Sequence, residues 1–157
     1  MIGRISQFLE PSRITLSVQG ACGTAAIGEV ARLLDGHPDV TSFQGFHDAL
    51  LAREQLDTTC LGNGIAIPHA RTGHVREIVL AVGRSDRGVF FPSSGETVQL
   101  MFVIGTPENN PAAYLAILSS LCRLLKDPAT HAALLNAPTP EAFIQAILAA
   151  EQKNLKT

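Results

Sequence analysis

The sequence predicts an α/β protein, specifically a three-layer α/β/α sandwich around a mixed central sheet. Residues 78–84 and 98–104 are nearly continuous apolar runs, as expected of strands that are covered on both faces. Segments with the apolar spacing of amphipathic helices precede and follow these runs. Of the 157 residues, 46% are hydrophobic and 17% are charged, which excludes a disordered chain. We expect one domain over residues 1–157, with a polar tail from about residue 152.

The first third of the chain predicts a strand and two helices. Apolar and polar residues alternate over residues 14–18, which is typical of a half-buried strand. Thr24 is expected to cap a helix over residues 25–34, and a glycine and a proline follow to end it. A second helix is predicted over residues 43–55.

The middle of the chain predicts the remaining strands. Residues 64–67 form a short apolar run before Pro68, which disfavours helical backbone at the residue preceding it. Residues 78–84 and 98–104 predict the two central strands, and residues 89–91 predict a further short strand between them. A Pro-Ser-Ser-Gly sequence then indicates a turn.

The last third predicts three helices. Asn110 begins the first, which ends near Lys126, and a second follows as far as Asn136. Thr139 is expected to cap the third. The first of these helices carries an apolar stripe that should face the core, made of Leu115, Leu118, Leu121, Cys122 and Leu125.

Charge and composition exclude several classes of protein. A net charge of −2 gives no overall attraction to nucleic acid. No apolar run approaches the ~18 residues that a membrane helix needs, and polar residues stand where a signal peptide would need an apolar segment. Three scattered cysteines indicate reduced thiols, so we expect a cytoplasmic protein. Neither a metal site nor a cofactor is expected, because no metal-ligand spacing or nucleotide-binding motif is present.

The segment most informative about chemistry reads LGNGIAIPHAR, over residues 61–71. His69 follows the short strand of residues 64–67, and the fixed φ of Pro68 stiffens the backbone that presents it. Strand ends of open α/β sheets are favoured places for ligand chemistry. An imidazole there can act as a base, a metal ligand or a nucleophile. The structural alternative is a partly buried histidine bonded to backbone.

This segment closely resembles a known phosphorylation site. Arg53 and Glu54, followed by TTCLGNGIAIPH over residues 58–69, resemble the signature of phosphotransferase-system IIA proteins of the fructose/mannitol/nitrogen-regulatory class. The resemblance covers nearly the whole chain. It implies that His69 accepts a phosphoryl group from the phosphohistidine of a carrier protein, HPr or its nitrogen-branch counterpart. The phosphoryl group would then pass from His69 to a IIB domain or serve regulation. The protein would contact a membrane only indirectly, through a transporter.

The resemblance also implies roles for neighbouring side chains. Arg53 matches the family's arginine, and its fork of donors suits a phosphoryl group. We expect Thr59, Asn63 and Arg71 to support the phosphoryl site. For Thr59 a local cap is the alternative, for Asn63 a role in shaping the loop, and for Arg71 a solvated surface position.

The chain departs from the family pattern at Tyr114, where a second histidine is common. We expect Tyr114 to support the phosphoryl site, because a phenol can donate a hydrogen bond to a phosphoryl oxygen, but it adds no cation near neutral pH. The alternative for Tyr114 is a residue of an amphipathic helix with its hydroxyl in water. Two hypotheses follow. The chain is a phosphohistidine carrier, and thus a phosphotransferase component, or it is a IIA-like regulatory or interaction module with weak or no onward transfer.

Overall fold

A six-stranded mixed sheet lies between two layers of helices in the computed structural model, which describes residues 4–155. This arrangement confirms the predicted fold class. Along the sheet the order is β1-β5-β6-β3-β2, with β4 also pairing with β6. The strands are β1 (Ile14–Thr15), β2 (Cys60–Gly62), β3 (Ile65–Ala66), β4 (His69–Thr72), β5 (Val79–Phe91) and β6 (Glu96–Pro107).

The long antiparallel hairpin of β5 and β6 forms the centre of the sheet. Strand β1 runs parallel to β5, and β3 and β4 both run parallel to β6. In this register His69 of β4 lies opposite Ile104 of β6. The first residue of β4 is therefore held beside a fully buried part of the central strand.

Five α-helices and three short 3₁₀ turns cover the sheet within the described residues. Alternate residues of β5 face opposite layers, so Leu80 and Val82 belong to one apolar cluster, while Val79 and Ala81 belong to the other. The helices are α1 (Gly23–Ala31), α2 (Phe43–Leu56), α3 (Pro111–Leu125), α4 (Pro128–Asn136) and α5 (Pro140–Leu155). The first two pack on the Val79 face and the last three on the Leu80 face.

The first predicted elements are shorter than expected. The strand predicted over 14–18 is β1, Ile14–Thr15. Helix α1 begins at Gly23, after an N-cap residue, Cys22, whose side chain makes no capping bond. The predicted cap at Thr24 is therefore wrong, because Thr24 already lies within the first turn. The helix ends at Ala31 and the chain continues as a 3₁₀ turn.

The later elements differ from the prediction in their length and in which residues face the core. The two segments predicted at 78–84 and 89–91 belong to one strand, β5, with a register shift between Arg84 and Val89. Leu115 is 64% exposed and does not face the core. Helix α5 continues to Leu155, so the predicted tail is helical as far as the described residues reach, and residues 156–157 lie outside them. Over residues 4–155, none of the helices has the length and apolar character needed to cross a membrane.

Candidate functional site

Three elements meet at a groove of about 470 Å³. Arg53 comes from the last turn of α2, His69 and Arg71 from β4, and Tyr114 from the first turn of α3. The groove is completed by a set of smaller or apolar residues, Ala49, Ala52, Leu56 and Ala70. Two cations and two aromatic rings thus line one surface depression.

Local sequence features place these side chains. The Ser42 hydroxyl accepts a hydrogen bond from the Gly45 amide and begins α2, whose last turn carries Arg53. The Asn110 side chain accepts from the Ala113 amide and begins α3, so Tyr114 lies one turn into that helix. Strand β4 begins directly after Pro68, so His69 is the first residue of a strand and does not lie at the end of one, as the sequence indicated.

The hydrogen bonds of His69 define which ring nitrogen is free. Its Nδ1 lies 2.7 Å from the carbonyl oxygen of Ile67. Because a carbonyl can only accept, the network assigns the ring proton to Nδ1. The Nε2 lone pair then accepts from the hydroxyl of Tyr114, at 3.1 Å. His69 is buried, with 8% of its surface exposed.

Burial lowers the pKa of His69 below its ordinary value of 6.5. The bond to Ile67 and the Glu54 carboxylate act in the opposite direction, whereas the Arg53 cation lowers the pKa further. The net direction is downward. The imidazole is therefore neutral near pH 7, which is the form that can act as a nucleophile through Nε2.

The two arginines are held differently. One nitrogen of Arg53, Nη1, donates to the carbonyl oxygen of Asp57 at 2.9 Å, which fixes the side chain at the end of α2. Cζ of Arg71 lies 5.7 Å from the centre of the Tyr114 ring, within the range of a cation–π interaction. Both guanidinium groups line the groove with His69. Their charge suits the oxygens of a phosphoryl group.

The other two candidates lie elsewhere. Thr59 is buried, and its hydroxyl donates to Glu54 Oε1 at 2.5 Å instead of lining the groove. Asn63 is in the turn between β2 and β3 with a φ of 56°, in the left-handed region that asparagine tolerates. It lines a second cavity with Cys122 and Lys126, so its position favours the loop-shaping interpretation.

Two contributors to the site were missed by the sequence analysis. The first is the Ile67 carbonyl that holds His69, and no sequence pattern identifies such a backbone acceptor. The second is Glu54, which binds Thr59 and which the matched motif contains beside Arg53. Across residues 4–155, no group of three or more His, Cys, Asp or Glu side chains is arranged to hold a metal ion.

Comparisons with known proteins show the family of the chain. Residues 7–150 match the family model described as phosphoenolpyruvate-dependent sugar phosphotransferase system, EIIA 2. A nitrogen regulatory protein of Pseudomonas aeruginosa is 32% identical over 92% of this chain and 95% of its own length. The fructose-specific EIIABC component of Bacillus subtilis is 33% identical over 92% of this chain, which spans only 23% of that longer relative.

The fold is shared with solved proteins of the same kind. The nitrogen regulatory protein IIA-Ntr from Neisseria meningitidis has a TM-score of 0.82 and 28% identity, covering 91% of this chain and 98% of its own. The family match extends over nearly the whole chain and includes all eight residues that line the groove. The protein therefore belongs to the EIIA 2 family of the phosphoenolpyruvate-dependent sugar phosphotransferase system.

Proposed function

We propose that this protein is a phosphohistidine carrier of the phosphotransferase system, with Nε2 of His69 as the phosphoryl acceptor. The donor is the phosphohistidine of HPr or of its nitrogen-branch counterpart. The acceptor is a IIB domain, or the phosphoryl group regulates another protein. The observation that carries the proposal is the bond from Nδ1–H to Ile67, which leaves the Nε2 lone pair beside Tyr114 in a groove lined by two arginines.

The transfer step balances without an external proton. The donor's nitrogen–phosphorus bond breaks as the bond from Nε2 to phosphorus forms, and the electron pair of the broken bond returns to the donor ring. With its other nitrogen protonated, the donor leaves as a neutral imidazole. His69 becomes a phosphoimidazolium whose Nδ1 keeps its proton and its hydrogen bond to the Ile67 carbonyl. Arg53 and Arg71 balance the charge of the phosphoryl oxygens.

The surroundings of the groove support a protein as the phosphoryl donor. Leu56, which lines the groove, is 84% exposed, and Leu115, which follows Tyr114 on α3, is 64% exposed. Large exposed apolar side chains beside a polar site are typical of protein docking surfaces. The three free cysteines support the cytoplasmic location that such a relay requires.

The second candidate function is a IIA-like regulatory module with weak or no onward transfer. The observation that favours it is the contact between Tyr114 and Nε2 of His69, because the phenol occupies the lone pair that must attack phosphorus. Of the two sequence relatives reported above, one is a nitrogen regulatory protein and the other is a fructose-specific EIIABC component. Transfer from the phosphorylated protein to a purified IIB domain separates the two functions.

The test is to map the phosphate. The protein is incubated with phosphoenolpyruvate, the general phosphotransferase enzyme and a phosphocarrier, and acid-labile phosphate is located by peptide mapping. We expect label on His69, none in a folded His69→Ala variant, and unchanged labelling in His74→Ala, where an exposed histidine is removed. Label on another histidine, or none under conditions that phosphorylate an active IIA protein, contradicts the proposal.

The same assay tests the role of Arg53. Arginines that stabilise transferring phosphoryl groups contribute ~10³-fold or more, so Arg53→Ala should slow labelling by about that factor. The exposed Arg71 should have a smaller effect when replaced by alanine, because water screens its charge. A thermal melt of Arg53→Ala monitors the loss of the Arg53–Asp57 bond. Equal rates for Arg53→Ala and the wild type contradict this role.

A further inference from the structure

Glu54 is one of the most heavily hydrogen-bonded side chains near the site, although it does not line the His69 groove. Its Oε1 accepts from the Thr59 hydroxyl at 2.5 Å, and its Oε2 accepts from the Thr59 amide at 3.3 Å. Oε2 also accepts from the Ser93 hydroxyl at 2.9 Å. One carboxylate therefore binds both donors of Thr59 and ties the end of α2 to the turn after β5.

From Thr59 the hydrogen bonds continue to His69. The carbonyl of Thr59 accepts from the Ile67 amide at 3.0 Å. The carbonyl of the same residue, Ile67, accepts from Nδ1 of His69 at 2.7 Å. Both polar backbone groups of Ile67 are thus in use, and Pro68 allows little rotation between Ile67 and His69. The position of the carbonyl that selects the His69 tautomer depends on the position of Thr59.

We infer that Glu54 is a positioning residue for the phosphorylation of His69, acting through Thr59 and the Ile67 backbone. The inference rests on the proposed function for its effect on rate. The chain of hydrogen bonds keeps the proton on Nδ1 and directs the unprotonated Nε2 into the groove. Without it, the imidazole can rotate or exchange tautomers and present a protonated nitrogen to the donor.

A purely electrostatic role of Glu54 predicts the opposite result. Its negative charge raises the pKa of His69 and so favours the protonated ring, which is not a nucleophile. If the charge alone mattered, neutralising Glu54 would leave more neutral imidazole and would not slow the reaction. A slower reaction in Glu54→Gln therefore separates positioning from charge.

The experiment uses four variants of the whole protein. Glu54→Gln replaces one of the two acceptor oxygens with an amide nitrogen, which cannot accept from Thr59 or Ser93. Thr59→Val removes the hydroxyl, whereas Thr59→Ser keeps it and should behave as the wild type. Glu141→Gln, an exposed position in the first turn of α5, is the matched control for the change in net charge. Circular dichroism and melting establish that each variant is folded.

The first measurement is the tautomer of His69, from ¹⁵N chemical shifts of the ring in the unphosphorylated protein. It needs no partner protein, so it decides the inference even if no phosphorylation occurs. We expect the Nδ1–H form in the wild type, Thr59→Ser and Glu141→Gln. Mixed tautomers are expected in Glu54→Gln and Thr59→Val. An unchanged tautomer in both of these folded variants overturns the inference. If Glu54→Gln does not fold, the comparison of Thr59→Val with Thr59→Ser decides it.

The second measurement is the rate of phosphorylation by a phosphorylated carrier. Misplacement of a reacting group by about 1 Å can cost about 10²-fold, so we expect Glu54→Gln and Thr59→Val to be slower by about 10- to 100-fold. A shifted tautomer with an unchanged rate overturns the role in the reaction. An inactive wild type with the expected tautomer pattern contradicts the proposed function and leaves the positioning of His69 established.

Discussion

At the scale of single residues, the proposed reactivity of His69 depends on which ring nitrogen keeps a proton. A backbone carbonyl makes that choice, and a phenol occupies the other nitrogen. Neither partner adds a positive charge, and burial disfavours protonation of the ring. The site is thus built around a neutral imidazole, with the positive charge supplied by arginines at its edge.

The lowered pKa of His69 makes a prediction about pH. Titration of its ring followed by NMR should have a midpoint below 6.5. Between that midpoint and 6.5 the unfolded chain binds more protons than the folded one, so the free energy of unfolding falls as pH falls through this window. In His69→Gln this slope should be smaller, the remainder coming partly from His37, whose pKa is also lowered by burial. An identical slope in wild type and variant contradicts the assignment.

Tyr114 makes a second prediction at this scale. The phenol donates to Nε2 before transfer and can donate to a phosphoryl oxygen afterwards, and a neutral hydrogen bond contributes about 1 kcal/mol. Tyr114→Phe should therefore lower the extent of phosphorylation by no more than about fivefold. Tyr114→His should raise the rate or extent, because an imidazolium can add positive charge. The measurement compares the three proteins with one carrier at one pH. If Tyr114→His changes neither quantity, Tyr114 does not occupy the position of the family's second histidine.

At the scale of elements, a buried cation joins the sheet to helix α4. Arg84 of β5 is 8% exposed, and its Nη1 donates to the carbonyls of Leu134 and Ala137 at 2.9 and 2.8 Å. These carbonyls lie at the C-terminal end of α4, where helix carbonyls lack intrahelical partners. The last turn of α4 is therefore capped by a strand residue.

Replacing this cap should destabilise the protein without altering the site. Hydrogen bonds to charged groups contribute about 1.5–3 kcal/mol each, so Arg84→Ala should lower the free energy of unfolding by about 3 kcal/mol. Urea denaturation measures the change. Arg87→Ala, an exposed arginine three residues later, is the matched control and should shift stability by less than about 0.5 kcal/mol. Equal effects from the two replacements would mean that the carbonyls find other partners.

The same strand illustrates which elements the sequence could predict. The apolar runs on either side of residues 85–88 were found correctly, but their union into one strand was not. Pairing with β6 resumes at Val89 after a register shift, and Gly88 there has a φ of 88°. A polar stretch with a glycine predicts a loop equally well. Only the pairing with β6 determines that β5 continues through this polar stretch.

At the scale of the whole molecule, the two ends of the described chain are joined. The Ser6 hydroxyl donates to Glu151 Oε1 at 2.6 Å, and the Ser6 amide lies 3.2 Å from Oε2. Glu151 is buried on α5, so the 3₁₀ turn at Ile5–Phe8 closes the layer formed by α3, α4 and α5. Contacts of such long sequence separation stabilise the fold as a unit.

We expect Ser6→Ala to lower the free energy of unfolding by about 1–2 kcal/mol, because a buried carboxylate loses its shortest hydrogen bond. Phosphorylation should be unaffected, since neither residue lines the His69 groove. Ser119→Ala, an exposed serine on α3, serves as the control and should leave the melting temperature nearly unchanged. A loss of phosphorylation at full stability would contradict this separation of roles.

The predictability of the site also becomes clear at this scale. The fold class followed from buried apolar runs flanked by helical patterns, and the resemblance implied that Arg53, His69 and Tyr114 are associated. The free nitrogen of His69 and the inward turn of Thr59 were not predictable. The first results from a hydrogen bond to the Ile67 backbone carbonyl, and the second from a hydrogen bond to the Glu54 carboxylate five residues earlier. The pattern of apolar and polar side chains encodes neither bond.

The contact between Tyr114 and His69 also provides an optical signal. The chain has one tyrosine and no tryptophan, so its near-ultraviolet emission comes from the Tyr114 phenol. That phenol donates to Nε2 of His69. In the proposed function Nε2 bonds to phosphorus, so this hydrogen bond is lost when the phosphoryl group arrives. Emission from the unlabelled protein should therefore change as His69 is phosphorylated and return when the group leaves. The kinetics of loading and release can be followed continuously, without isotopes or an attached dye.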